Sequence, residues 1–428
     1  MASRPTTTCP RQMPPVELQG GGSRRAPIGK APFLRYNHLT THNHDGGPPM
    51  PDPDVIQFLQ ELVRLPSLSG QEEAVARAVQ ARMLALGYDR AEIDAWGNVC
   101  GIIAGARPGP SLLLDAHMDT VPIADPQRWT HDPFGGEIEG DRLYGRGATD
   151  NKGCLAAIVM MAALLDRNRL AGAVYVTGTV NEEESEGSGL AKVVDALHPD
   201  YVLIAEGTAL ALGIGQKGRA SVLVEAEGKP AHAANPGEGV NAVYKALPAL
   251  LRLRDLPLRQ HPIVGSELAE LVELISSPYP SNSVVPFHCL ARYDYRMLPD
   301  ETKEDLIARW QAVAGPEVKV SLRRQQVPCY TGTVLECDDF HPAWVTPPES
   351  RLLQGARRGL AAIGQRAADF AAHYCTNGSY SGGIAGIPTL IYGPGIMQHA
   401  HRVDEFVETE QVVAATRGFA AIVEGVLA

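Results

Sequence analysis

Acidic residues and histidines follow the apolar runs of this sequence in a repeated pattern. The apolar run 111–116 stops at His117, and Asp119 comes two residues later. Such a pair is typical of a buried strand that delivers a metal ligand together with a carboxylate that orients it. Further groups of these types come after similar segments or in loops: Asp150, Glu182, Glu183, Glu206 and His401. This set indicates a site that holds two metal ions and hydrolyses a bond.

Imidazole and carboxylate ligands suit Zn²⁺, with Co²⁺ or Mn²⁺ as substitutes. The candidate ligands number five: His117, Asp150, one of Glu182 and Glu183, Glu206 and His401. One catalytic zinc ion usually keeps about three protein ligands and an open position, so five are too many. A carboxylate that bridges two metal ions about 3.5–4 Å apart uses all of them. We therefore predict two Zn²⁺ ions.

Glu182 and Glu183 are neighbours, and adjacent side chains on extended or loop backbone point in different directions. One of them can bind a metal while the other faces the substrate. A free carboxylate beside a metal-activated water can act as base toward the water and then as acid toward a leaving amine. This pair therefore favours amide hydrolysis. Asp119 is placed to accept the other ring N–H of His117.

Composition limits the class of protein. The chain has 428 residues, 44% hydrophobic and 20% charged, which allows a full core and more than one domain. The net charge of −11 argues against a nucleic-acid binder, which needs a basic face. Seven cysteines without C-x-x-C spacing are typical of reduced thiols in a cytoplasmic protein. We find no run of about 18 apolar residues and expect no membrane span.

The first fifty residues differ from the rest. Six Lys or Arg residues stand against the single acid Glu17 before Asp45, with Gly and Pro throughout. No apolar segment of a secretory signal is present, and serine is too sparse for a good organellar transit peptide. We predict that residues 1–50 are a disordered extension or a sequence added by cloning.

The remaining sequence predicts two domains. Apolar runs alternate with helical stretches over 51–217 and 329–428, which is typical of an α/β catalytic domain with a mixed, mostly parallel sheet. Between them, strands are predicted at 220–227, 274–285, 289–297 and 318–322, and helices at 241–253 and 301–313. This βαββαβ order predicts an inserted α+β, ferredoxin-like domain over 218–328. The glycine-rich segment 213–218 lacks a Walker pattern and fits a hinge better than a phosphate loop.

Six motifs resemble those of the acetylornithine deacetylase / succinyl-diaminopimelate desuccinylase / carboxypeptidase-G family of dinuclear zinc peptidases and amidohydrolases. They are His117-Met-Asp-Thr-Val-Pro122, Tyr144-Gly-Arg-Gly-Ala-Thr-Asp150, Thr179-Val-Asn-Glu-Glu183, Ala205-Glu206, Ala231-His232 and Ala400-His401-Arg-Val-Asp-Glu405. The resemblance runs from about residue 54 to the C-terminus. It implies a zinc-peptidase-like catalytic domain, a lid and dimerisation domain, and a homodimer. The sequence is most similar to a subgroup named for selenium metabolism, from which we infer no selenium chemistry.

The resemblance assigns the metal ligands individually. Asp150 would bridge the two metals, one of which would also bind His117 and Glu206. The other metal would bind Glu183 and His401. In the same way, Glu182 resembles the general base and Asp119 the carboxylate partner of His117.

The resemblance also implies substrate contacts from the lid. His232 is similar to a lid histidine that reaches across from the partner subunit and stabilises the tetrahedral oxyanion. Asn282 and Arg296 match lid positions that hold a substrate carboxylate, for which a guanidinium has the fork geometry. Arg296 could instead pair only with Asp294 inside the lid.

The resulting prediction is a deacylase that cleaves an N-acyl amino acid or a related small carboxylated amide. A dipeptidase or carboxypeptidase with the same dinuclear centre is the alternative. A non-catalytic metal-binding protein is a third reading, but it would not need a free carboxylate at Glu182.

Three features leave points of this prediction open. Asn181 stands where the family usually has aspartate, although both following carboxylates are kept. The loop Gly378-Ser-Tyr-Ser381 lacks the acid of the usual Gly-Thr-Asp, so the substrate of other members cannot be transferred. His399 could compete with His401 as ligand, but the motif fits His401 better.

Overall fold

Two principal β-sheets with separate hydrophobic cores organise the part of the chain that the structure describes. The structure is a computed structural model and describes residues 52–428. The extension predicted at residues 1–50 lies outside the described residues. The larger sheet carries a core on each face, and the smaller sheet carries its own core on one face.

Nine helices are present within residues 52–428. They are α1 (Asp52–Val63), α2 (Glu73–Ala85), α3 (Gly153–Met160), α4 (Ser188–Leu197), α5 (Ala242–Arg254), α6 (Lys303–Ala314), α7 (Arg351–Ala362), α8 (Gly378–Ser381) and α9 (Thr409–Leu427). None of the helices in this part of the chain has both the length and the apolar character needed to cross a membrane.

The strands fall into the two principal sheets and three small ones. The larger sheet contains β1 (Arg90–Ile93), β2 (Val99–Ala104), β3 (Arg107–His117), β6 (Ala171–Thr179), β7 (Tyr201–Ala205), β8 (Leu212–Gln216), β18 (Trp344–Val345), β19 (Asp369–Ala372) and β20 (Thr389–Tyr392). The smaller sheet contains β9 (Gly218–Glu227), β12 (Leu268–Ser277), β13 (His288–Met297), β14 (Lys319–Leu322) and β17 (Phe340–His341). The small sheets are formed by β4 (Glu137–Glu139), β5 (Arg142–Tyr144), β10 (Gln260–His261), β11 (Gly265–Ser266), β15 (Arg324–Pro328), β16 (Val334–Asp338) and β21 (Phe406–Glu408).

The larger sheet is mixed, with strand order β1-β2-β6-β3-β7-β20-β8-β18 and β19 beside β8. Its central strand β3 runs parallel to both β6 and β7. Leu112 and Leu114 of β3 face one core, and Leu113 faces the core on the opposite side. Because both faces are covered, three consecutive apolar residues, 112–114, occur in this strand. The carboxyl ends of β3, β6 and β7 therefore meet at one edge of the sheet.

The smaller sheet has strand order β12-β13-β9-β14, with β17 also paired to β9. Alternate residues of β13, such as Tyr293 and Tyr295, are buried against Trp310 of α6. The intervening residues of β13 are half-exposed on the other face. Helices thus cover one face only, as antiparallel sheets permit. The predicted α/β fold with an inserted βαββαβ unit is confirmed.

One strand of the smaller sheet was placed wrongly by the sequence pattern. A strand was predicted at 274–285, whereas β12 spans Leu268–Ser277. Pro278 and Pro280 follow directly and have no N–H to continue the ladder. The apolar residues beyond them belong to a loop that leads to β13.

The chain passes between the two principal sheets at Lys217, the single residue between β8 and β9. A Cβ on Gly218 would lie 2.5 Å from the carbonyl oxygen of His341, so only glycine fits this crossing. The chain leaves the smaller sheet after β14, but β17 pairs with β9 once more. Residues 340–341 thus join the smaller sheet although they lie beyond the predicted boundary at 328.

Candidate metal centre and active site

Three neighbouring strands of the larger sheet deliver candidate ligands to the same edge. His117 is the last residue of β3, Glu182 and Glu183 follow β6, and Glu206 follows β7. Because β3 lies between the other two and parallel to them, the groups converge where the strands end. The Nε2 atom of His117 lies 3.8 Å from Glu206 Oε1 and 3.9 Å from Glu182 Oε2.

Asp150 lies between the two candidate histidine ligands. Its Oδ1 is 2.9 Å from Nε2 of His117, and its Oδ2 is 3.1 Å from Nε2 of His401. The same His401 nitrogen lies 3.1 Å from Oε1 of Glu183. Each oxygen of one carboxylate thus faces a different histidine, which is the arrangement required of a bridging ligand.

A buried ion pair holds the backbone of Asp150. The N–H groups of Thr149 and Asp150 donate to Oε1 of Glu405 at 3.0 and 3.1 Å. The other oxygen of Glu405 accepts from Arg146 at 2.5 Å, and both side chains are almost fully buried. Arg146 and Glu405 belong to two of the six motifs, but the motifs gave no role for either residue. Glu405 is more than 250 residues away from both Arg146 and Asp150 in the sequence, so spacing alone could not predict these contacts.

Asp119 connects the histidine to the glutamate pair. Its Oδ1 lies 3.4 Å from Nδ1 of His117, whose nearer acceptor is the main-chain oxygen of Asp119 at 3.0 Å. The same carboxylate accepts the N–H groups of Glu182 and Glu183 at 3.0 and 3.1 Å. Ser69 Oγ donates to it at 2.6 Å. Asp119 therefore orients the loop that carries both glutamates as well as the ring.

The centre concentrates negative charge in a buried place. Burial lowers the pKa of His117, but the surrounding carboxylates, Glu182 foremost, outweigh it and raise this pKa well above its usual value. Hydrogen bonds to Asp150 and Glu183 raise the pKa of His401 to about 10. Burial raises the pKa of Glu182 well above the usual glutamate range, and nearby carboxylates add to it. Such crowding is the environment that a bound cation relieves.

The donor set fits a divalent metal. His117, Asp150 and Glu183 each offer a ligand atom, and these atoms lie within 4.8 Å of one another. Oε2 of Glu206 is buried, and no group in the described part of the chain donates a hydrogen bond to it. A buried carboxylate oxygen is costly without a partner, and a cation would supply one. Nitrogen and oxygen ligands of this kind suit zinc.

Four of the five candidate ligands, Asp150, Glu183, Glu206 and His401, line a cleft of about 390 Å³, a volume suited to a small molecule. Arg296 of β13 lies in its wall and pairs with Asp294 through bonds of 2.8 and 3.3 Å. Asn282 and His232 are exposed and are not among the described residues that line the cleft. The structure thus brings Arg296 to the metal centre within one chain, but not Asn282 or His232.

A second charged network contributes Glu186 and Arg219 to the lining of the same cleft, and no sequence motif pointed to it. Arg219 of β9 donates to both oxygens of Glu186 at 2.7 and 2.6 Å, and lies 3.0 Å from Asp339. His341 bonds to the main-chain oxygen of Glu186 at 2.7 Å. Burial opposes ionisation of Glu186, but His341 and Arg219 outweigh it and lower its pKa to about 2. Glu186 is therefore a mostly buried, ionised side chain.

Two residues whose roles the sequence left open, His399 and Tyr380, do not contact the candidate metal ligands. His399 packs its ring on Phe406 at 4.3 Å, whereas His401 contacts Asp150. Tyr380, in the loop that lacks the usual acid, donates to Asp195 and does not line the cleft among the described residues. Cleft positions near this loop are instead taken by Tyr374 and Cys375.

Comparison with known proteins decides the family. Residues 113–425 match the profile described as Peptidase family M20/M25/M40. This chain belongs to that family. The matched region contains all five candidate metal ligands and the smaller sheet. The family predicted from the six motifs is confirmed, and membership indicates a metal-dependent hydrolase of small peptides or amides.

Relatives and solved structures agree with this assignment. The chain is 30% identical over 382 residues to the uncharacterized protein YgeY of Escherichia coli K12, covering 86% of this chain and 93% of that protein. The fold is similar to that of the aminopeptidase PepT of Bacillus cereus, with 20% identity, a TM-score of 0.66 and coverage of 88% and 98%. It is also similar to the YXEP protein of Bacillus subtilis, described as a dinuclear metal-binding peptidase, with 16% identity, a TM-score of 0.65 and the same coverage.

Proposed function

We propose that the protein hydrolyses the amide bond of an N-acyl amino acid or a related small carboxylated amide, using two Zn²⁺ ions. The observation that carries this proposal is the position of Glu182. Its carboxylate lies in the cleft 3.9 Å from His117 Nε2, and no group in residues 52–428 donates a hydrogen bond to it. A free carboxylate beside a ligand set is what amide hydrolysis requires and what metal storage does not.

In this proposal His117, Glu206 and Asp150 would hold one metal, and Glu183, His401 and the same Asp150 would hold the other. Co²⁺ or Mn²⁺ could replace zinc in such a set. Bound metals of this type lower the pKa of water and polarise a carbonyl. The protein contributes the fixed ligand geometry, through Asp119 on one side and Glu405 on the other.

Glu182 acts as the proton carrier of the reaction. As a carboxylate it removes a proton from the attacking water, and as a carboxylic acid it returns that proton to the leaving amine. Asp119 keeps Glu182 in place through the main-chain N–H.

Arg296 is proposed to hold the substrate carboxylate at the wall of the cleft. Its Nε and one terminal nitrogen already form the fork toward Asp294, so a substrate carboxylate would use the remaining N–H groups or displace that partner. Asn282 lies away from the cleft and would reach the substrate only if the smaller domain, residues 218–328, closes as a lid.

A dipeptidase or carboxypeptidase is the alternative, since several similar folds carry those names. Solved neighbours include a dipeptidase of Saccharomyces cerevisiae and the human carnosine dipeptidase 1, at 13% and 15% identity. A screen of Zn²⁺- and Co²⁺-loaded protein against N-acyl amino acids and unblocked dipeptides separates the two. Faster turnover of the N-acyl compounds is expected, and preference for free-amine dipeptides would favour the alternative. Absence of any amide hydrolysis would overturn the proposal.

We also propose a homodimer formed through the smaller domain. Helix α5 and the edge strand β12 expose large apolar side chains, among them Tyr244 at 73%, Leu251 at 56% and Leu274 at 49%. Exposed apolar surface and an unpaired strand edge are features of an interaction site. A second copy explains why His232 lies outside the cleft of its own chain: in the dimer, the partner subunit's His232 would complete the site and stabilise the oxyanion.

Mixed dimers test this shared site. His232→Ala and Glu182→Gln homodimers should both be nearly inactive, since each site lacks one group. A heterodimer of the two chains has one intact site if His232 acts in the partner subunit, so about half the wild-type rate per dimer is expected. The measurement is hydrolysis by differently tagged chains purified as heterodimers. An inactive heterodimer would place His232 in its own chain's site, and a fully active His232→Ala homodimer would remove its role.

A further inference from the structure

Three arginines converge on the cleft from the smaller sheet. Arg219 of β9 and Arg296 of β13 are cross-strand partners on the face that helices leave open. Arg323 follows β14. Its main-chain N–H donates to the main-chain oxygen of Ser221, which comes two residues after Arg219 in β9. All three arginines line the cleft that holds the candidate metal ligands.

These three guanidinium groups differ in how far protein carboxylates already neutralise them. Arg219 is mostly buried and holds Glu186 in a bidentate pair. Arg296 holds Asp294 in a second pair, through bonds of 2.8 and 3.3 Å. For Arg323, the one ion pair found within residues 52–428 is with Asp339, at 3.9 Å, beyond hydrogen-bond distance.

The Asp339 carboxylate is shared with three other side chains. Its Oδ1 contacts Arg219 at 3.0 Å and His341 at 3.2 Å, and its Oδ2 accepts from Gln325 at 3.3 Å. The Arg323 side chain is half-exposed, at 50%, so water now solvates it. A substrate that fills the cleft would remove that water, and a guanidinium whose carboxylate partner lies 3.9 Å away would then need a closer anion.

We propose that Arg323 binds a second carboxylate of the substrate, in addition to the one assigned to Arg296. This inference rests on the proposed amide hydrolysis and narrows its substrates to small amides that carry two carboxylates. The second carboxylate can belong to the side chain of the amino acid or to the acyl group. Both sources present the same chemistry to a guanidinium fork.

The spacing of the strands fits two separate carboxylate positions. β9 lies between β13 and the backbone at Arg323, and Arg323 pairs two residues further along β9 than Arg296, so the backbones of Arg296 and Arg323 are about 12 Å apart. Arginine side chains are long enough to approach one small molecule from both positions. One guanidinium alone could not hold two carboxylates separated by several bonds.

The test uses substrate pairs that differ only in one charge. N-acetyl-L-glutamate is compared with N-acetyl-L-glutamine, and N-succinyl-L-alanine with its neutral monoamide, on the metal-loaded enzyme. In the wild type, kcat/KM should favour the acidic member of at least one pair by about 10- to 100-fold, mainly through KM, as expected of a charged hydrogen bond. The pair that shows the preference identifies the source of the second carboxylate.

Arg323→Gln should reduce that ratio to near one, and Arg324→Gln provides the matched control. Arg324 is the next residue, is 74% exposed, and pairs with Glu336 at 3.6 Å on the hairpin, away from the described cleft residues. The control should keep the wild-type ratio. A wild type without preference, or a ratio equal in both variants, would overturn the proposal.

A binding experiment separates this inference from the proposed function. Glutarate and its monoamide are titrated calorimetrically into the metal-loaded wild type and both variants. Tighter binding of glutarate that disappears in Arg323→Gln alone would support the second carboxylate site even if no amide is hydrolysed. Equal binding of the two compounds to the wild type would contradict it even if amide hydrolysis is found.

Discussion

Glu182→Gln is expected to retain two metals and to lose hydrolysis by about 100- to 10,000-fold, the range of general acid–base catalysis. The amide has the same shape but cannot take a proton from water. Its main-chain N–H still donates to Asp119, so the loop and the ligand Glu183 should stay in place. Single-turnover rates and metal content of the same preparation give the measurement.

Glu184→Gln is the matched control for this substitution. Glu184 lines the same cleft and is exposed, and it is two residues away from Glu182. The control removes one negative charge from the cleft without removing the base, and it should hydrolyse at a rate near that of the wild type. Equal losses in the two variants would show that cleft charge, and not a base at Glu182, sustains the reaction.

Asp150→Asn should abolish high-affinity binding of both metals, and activity with it. Each oxygen of Asp150 faces a different histidine, at 2.9 and 3.1 Å, so one substitution affects both positions. Loss of a group that only supports a ligand costs about 10- to 100-fold in metal affinity, and loss of the bridge should exceed that. Competition with a chromogenic chelator measures the two affinities.

Asp141→Asn serves as control for the bridge, because Asp141 is an exposed aspartate on the same segment of the chain. It should bind metals as the wild type does. If Asp150→Asn kept one metal at wild-type affinity, the bridging assignment would be wrong, although a site with one metal would remain possible. The Asp150→Asn variant should still fold normally. Glu405, which pairs with Arg146, contacts the backbone of Asp150 and not its side chain.

The fold and the convergence of the candidate ligands followed from local sequence pattern. His117 and Glu206 come where apolar runs end, and parallel strands bring such positions to one sheet edge. Their order along the chain was enough to place them together. The limits of β12 could not be predicted from this pattern. Apolar residues continue past Pro278, whereas the hydrogen-bonded ladder ends before it.

The charged wall of the cleft and the support of Asp150 could not be predicted in this way. No spacing in the sequence links Glu186 with Arg219, and the crossing between the two sheets brings them together as a mostly buried pair. Glu405 acts through the main-chain N–H groups of Thr149 and Asp150, which no side-chain pattern reveals. The sequence alone does not distinguish Arg323 from its neighbour Arg324. In the structure Arg323 lines the cleft, whereas Arg324 pairs with Glu336.

Metal content measured together with hydrolysis tests the central claim most directly. Protein stripped by a chelator is titrated with Zn²⁺ or Co²⁺, and amide cleavage of an N-acyl amino acid is recorded against bound metal per chain. The dinuclear assignment predicts no cleavage in the stripped protein and full activity near two metals per chain. Undiminished cleavage by the stripped protein, or full activity at one metal per chain, would contradict it.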